Sequence, residues 1–187
     1  MEDKELFSLV LGEGENILKT YRPNRFRAFF AQIISWAFWI VLWAFILVAN
    51  IFAYRAGEST IGELTGSIVF VGFWILLMVV SLILTHLWCN KTVYAITNKR
   101  VLIRTGRIGV DYKSLDYNML GAVTVNVSWV DKLLHKNTGI IMFGSMSSPL
   151  MNGGMAKFAF SYIKNPYEVY KEVKAVIDAS KAETNKQ

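Results

Sequence analysis

The sequence predicts an α+β membrane protein, in which a transmembrane two-helix hairpin is joined to an antiparallel sheet followed by an amphipathic C-terminal helix. Three observations carry this expectation. Two uncharged apolar runs, Ala28–Tyr54 and Leu64–Asn90, are separated only by RAGESTIGE. From Lys91 onward the hydrophobic period changes to two. After Asn165-Pro166 it returns to helical spacing.

A helix crosses the hydrocarbon core with about 20 apolar residues, and both runs exceed that. Soluble core helices seldom run so far without a charge, so the runs are read as spans at 28–54 and 64–90, with the loop 55–63 outside. Lys19, Arg22, Arg25 and Arg27 crowd the start of the first span. Lys91, Lys99, Arg100, Arg104 and Arg107 follow the second, whereas the loop offers Arg55 beside Glu58 and Glu63. Basic residues near span ends stay cytoplasmic. The expected placement is therefore the plasma (inner) membrane, multi-pass, with both termini in the cytoplasm. Gln32 and His86 lie at matching depths, about four residues inside their spans, which makes them a candidate interhelical polar pair. Trp39, Trp43 and Trp74 fall nearer the bilayer centre and are expected to pack, while Trp88 suits the interface.

Residues 1–27 form a cytoplasmic N-terminal segment. Ile17–Tyr21 alternates with a period of two and is a possible extra strand, ended by Pro23. In the stretch 91–182, KTVYAIT, RVLIRTG, VDYKSLDY, AVTVNVSW, TGIIMFG and MAKFAFSYI read as six strands. Asn98-Lys99 makes the first tight turn, and Phe158, Phe160 and Tyr162 share one face of the last strand. Pro166 suits the first turn of a helix, whose apolar face is expected to include Tyr167, Tyr170, Val173 or Val169, Val176 and Ile177. Residues 183–187 are a solvated tail.

The order of these stretches resembles the bacterial pleckstrin-homology-like (PH-like) family of membrane-attached domains. The resemblance rests on Tyr94–Ile103 with Thr97-Asn98-Lys99-Arg100 at its centre, on Gly106-Arg107-Ile108, and on Val123–Val127. Gly139-Ile140-Ile141 and Phe160 through Pro166 complete it. It covers roughly Lys91–Ile177 and departs from the family's pattern at Leu134–Gly139, where relatives often carry a glycine sooner. It implies a seven-stranded bent sheet, or barrel, plugged by the closing helix. Because six strands follow the hairpin, Ile17–Tyr21 would supply the seventh, making the hairpin an insertion. It implies no enzyme; some members point to envelope stress or antimicrobial resistance.

From Lys91 onward, 14 Lys and Arg stand against 7 Asp and Glu. Beside a bilayer such an excess attracts anionic headgroups at about 1 kcal/mol per basic residue. Lys99, Arg100, Arg104 and Arg107 are the candidate anionic-lipid contacts, with nonspecific attraction the simpler reading. Trp129, Leu133, Leu134, Met146 and Met151 form a candidate partner or membrane surface, since methionine surfaces adapt to varied partners. The single cysteine, Cys89, excludes a disulfide framework. The two histidines lack metal-ligand spacing, and no carboxylate pair or phosphate loop meets the needs of catalysis. No enzyme, cofactor, metal site or nucleic-acid partner is therefore expected. The expected role is a non-catalytic interaction or scaffold module with a protein partner or a second copy. Lipid-headgroup recognition and an oligomeric channel or transporter subunit are the alternatives.

Overall fold

The computed structural model describes residues 2–128, 131–132, 137–145 and 158–184. Its elements run α1 (Glu2–Glu5), β1 (Ile17–Tyr21), α2 (Arg25–Ala56), α3 (Ile61–Lys91), β2 (Val93–Thr97), β3 (Arg100–Thr105) and β4 (Asp111–Asp116). After a 3-10 turn at Tyr117–Met119 come β5 (Leu120–Asn126), β6 (Thr138–Ser145), β7 (Phe158–Lys164) and α4 (Pro166–Thr184). The chain divides into two compact units, one of Met1–Arg27 with Leu87–Gln187 and the other of Ala28–His86.

The helices α2 and α3, which supply the second unit between Ala28 and His86, are 32 and 31 residues long. At 1.5 Å per residue each spans about 45 Å, more than the hydrocarbon core of about 30 Å. Both are long and apolar enough to cross a membrane, with apolar windows of mean hydropathy 2.2 and 2.8 in which no residue is buried.

The helices overrun the apolar runs because caps, not hydropathy, set their ends. The Arg27 N–H donates to Asn24 Oδ1 (3.4 Å), so Asn24 caps α2. Thr60 and Glu63 exchange side-chain and backbone bonds of 3.2 and 3.4 Å, the reciprocal capping box. That box starts α3 at Ile61 rather than Leu64. Gly57, at φ +78°, ends α2: its N–H donates to Tyr54 O and that of Glu58 to Ala53 O. These two bonds are the Schellman arrangement, and the left-handed residue it needs is a glycine.

The first unit holds a four-stranded antiparallel sheet in the order β1-β2-β3-β4 and a three-stranded one in the order β5-β6-β7. Among the described residues this makes seven strands. Ile17–Tyr21 is one of them, paired with β2 from Ile17↔Thr97 to Tyr21↔Tyr94. The helical pair is thus inserted between two neighbouring strands of one sheet. Tyr94, Ile96, Val101, Ile103, Leu115, Ile141, Phe143 and Phe160 form the main core together with Val169, Val173 and Ile177 of α4. That four-residue spacing corrects the expected helix face: Val169 is buried, and Tyr167 is exposed. Tyr21 reaches across to α4, its hydroxyl donating to Glu172 Oε2 at 2.8 Å.

Every residue of β2 is buried, because both faces of its sheet are covered. Tyr94 and Ile96 face the main core. Val93 and Ala95 join Leu102 and Ile17 beneath Phe7, which has no exposed surface. Burying a phenylalanine contributes about 2 kcal/mol. The apolar residues after the acidic start of the chain therefore form a strap over the outer sheet face.

Candidate functional site

Three sets of contacts in the sheet unit draw the functional residues together: the clasp of the N-terminal strap, and the places where α2 and α3 join the sheets.

The clasp centres on Glu15. Its carboxylate, 1% exposed, accepts from Arg100 Nε at 3.0 Å and Nη2 at 2.8 Å. It also accepts from Thr97 Oγ1 at 2.7 Å and from the Gly12 N–H at 2.9 Å. Burial alone would raise its pKa; the bonds from Arg100, Gly12 and Thr97 outweigh that and hold it down at about 2. Lys99 Nζ donates to Glu13 O, and Asn98 bonds Gly14 and Asn16. The β2–β3 turn is therefore committed to residues 10–16. Lys99 and Arg100, read from sequence as lipid contacts, hold the chain's own N-terminal segment.

The root of α2 is anchored by a buried ion pair. Arg27 Nε and Nη2 donate to the two carboxylate oxygens of Asp131, the second bond being 3.0 Å. The two side chains are only 6% and 4% exposed. Thr138 Oγ1 also donates to Asp131, and the Tyr162 ring lies 5.8 Å from the guanidinium. Two buried charges persist only when each is matched by such bonds. Arg27 reads from sequence as a topology charge, and nothing local in the sequence singles out Asp131.

Tyr162 links this site to the other root. It has φ +57°, a region that aromatic residues rarely occupy. Between Ile141↔Phe160 and Gly139↔Ile163, β6 advances two residues while β7 advances three, which is a β-bulge. The extra residue breaks the alternation, so Phe160 and Ile163 enter the core and Tyr162 turns out of it. This corrects the face read from sequence for Phe158, Phe160 and Tyr162. Tyr94 fills the broken ladder, its hydroxyl accepting from the Ser161 N–H at 3.1 Å. Tyr162 O accepts from the Asn24 N–H at 2.8 Å, and its ring meets Trp88 edge-on at 6.1 Å.

At the root of α3, Trp88 Nε1 donates to Thr105 Oγ1 at 3.0 Å. Arg104 Nη1 donates to Lys91 O at 3.0 Å, capping the helix C-terminus with a cation. Arg104 is thus also in a structural contact. Arg107 lies exposed in the turn Gly106–Gly109.

In the apolar unit, the Gln32 side-chain amide donates to Ser81 Oγ, while the His86 ring lies 6.1 Å from that of Phe29. The observed partner of Gln32 is thus five residues before His86, because matching depths by counting from span ends ignores where each helix starts. Trp74 stacks on Trp39 and Trp43, each at 5.6 Å, and meets Trp36 at 5.9 Å. These indoles line an apolar cleft of about 350 Å³. Trp129, Leu133, Leu134, Met146 and Met151, the candidate partner surface, lie outside the described residues. Among the described residues no group of three or more His, Cys, Asp or Glu is placed to hold a metal ion. Comparison with known proteins gives no matching family model, no similar curated protein and no similar solved structure.

Proposed function

We propose that this chain is a non-catalytic integral membrane protein of the plasma membrane. Its cytoplasmic sheet unit, of PH-like architecture, acts as an interaction or scaffold platform. The observation that carries the reading is the pairing of β1 with β2 on either side of the inserted helices. Only Arg22, Pro23 and Asn24 separate β1 from α2, and Thr92 alone separates α3 from β2. The sheet unit is thus joined to the two helices by three residues and by one. Arg27–Asp131 and Trp88–Thr105 further fix the helix ends to it. A platform of this kind would offer its sheet surfaces to a partner as a preformed site, which lowers the ordering cost of binding.

Lipid recognition through the first hairpin is the weaker reading, since Lys99 and Arg100 are spent on the strap. Affinity purification of the full chain in mild detergent, with mass spectrometry of proteins and lipids, tests the proposal. A stoichiometric protein partner supports the platform. Enrichment of one anionic lipid with no protein partner overturns it in favour of headgroup recognition.

A further inference from the structure

We propose that the turn joining β3 to β4 is a separate membrane contact that sets its apolar tip into the headgroup layer beside the end of α3. The proposal rests on α2 and α3 being membrane spans. Ile108, at the tip, is 85% exposed. A single exposed isoleucine is ordinary, but this one has a specific location. Lys91, the last residue of α3, donates from Nζ to Ile108 O at 2.6 Å. The strand leading to the turn is tied to the same helix end through Arg104–Lys91 and Trp88–Thr105. The tip is therefore held one side chain away from the point where the apolar helix stops.

The turn also folds back tightly. A Cβ at Gly106 would overlap the carbonyl oxygen of Gly109, so glycine is required there for the chain to fold back. The fold presents Arg107 and Ile108 side by side, next to the Lys91 ammonium. That combination suits an anionic bilayer surface: the isoleucine enters the acyl boundary, and the two cations remain among the phosphates. The β2–β3 turn lies at the other end of the same strand, about 17 Å away at 3.3 Å per residue. The sequence offers Lys99, Arg100, Arg104 and Arg107 as candidate lipid contacts; of these the proposal keeps Arg107 and adds Ile108 beside it.

The test uses the full chain in phosphatidylcholine–phosphatidylglycerol vesicles, with an environment-sensitive maleimide dye on Ile108→Cys or Asp116→Cys. Cys89 is buried, so the unsubstituted chain serves as the blank. The expected result is a blue-shifted dye at 108 that lipids brominated near the headgroup quench, and a dye at 116 that behaves as in water. Equal behaviour at the two positions, with the native tryptophans quenched by lipids brominated deep in their chains, overturns the turn contact and leaves the spans intact. Loss of that tryptophan quenching as well overturns both readings.

Discussion

The Tyr162 ring lies 5.8 Å from the Arg27 guanidinium, and it does so because its backbone leaves the extended region at φ +57°. An unfavourable conformation at one residue thus places an aromatic ring between the start of α2 and Trp88 near the end of α3. Tyr162→Phe keeps the ring and is expected to unfold like the parent chain. Tyr162→Ala loses the ring and keeps the backbone cost, and is expected to lose about 2 kcal/mol, below the range for fully buried aromatics. Tyr162→Gly removes that cost and should fall between them. Thermal unfolding in detergent, followed by near-UV circular dichroism, ranks the three; an alanine variant as stable as the phenylalanine one contradicts the account.

The Arg27–Asp131 pair predicts an asymmetry. Asp131→Asn leaves a buried guanidinium without its counter-charge and should cost about 3–5 kcal/mol. Replacing both partners, with Arg27→Met and Asp131→Leu, removes the desolvation burden along with the attraction and should recover most of that loss. Urea titration of the single and double variants measures the difference. Additive losses would show that the pair is not coupled.

The clasp predicts a pH dependence. The Glu15 carboxyl is held at about 2 in the fold against an ordinary 4.5, so the fold favours its charged form. The stabilisation is present in full above about 4.5 and is lost as pH falls through that window towards about 2. A shift of this size corresponds to roughly 3 kcal/mol. The protection factors of the Val10 and Leu11 amides, whose N–H groups bond Phe7 O, should fall as the pH drops through the window in the parent chain. In Glu15→Gln the protection factors should be low throughout and nearly independent of pH; a parent-like profile in that variant removes Glu15 from the clasp.

What the sequence revealed and what it hid divide along physical lines. Hydropathy is summed over many residues, so the long helices were plain, and their overrun at Thr60 and Glu63 could have been read from the capping box in TIGE. Period-two alternation likewise announced the strands, including Ile17–Tyr21. The bulge at Ser161–Tyr162 left no such trace, because FAFSYI alternates acceptably with or without one extra residue. Asp131 and Arg27 are 104 residues apart, and no local pattern encodes a pairing at that distance. Glu15 carries no signal of its own in the sequence, and Arg100 reads as a charge beside a span. Only the packing of Phe7 on Val93, Ala95 and Leu102 brings those two together. The apolar character of both faces of VYAIT was the available hint that something covers the outer sheet face.

The most direct test of the proposed membrane arrangement is paired cysteine labelling in intact cells. Glu58→Cys, in the loop between the helices, should react with a membrane-impermeant maleimide added outside. Lys113→Cys, exposed on β4, should react only after permeabilisation. Labelling of both positions from outside, or of Lys113→Cys alone, would contradict a membrane hairpin with its sheet unit in the cytoplasm.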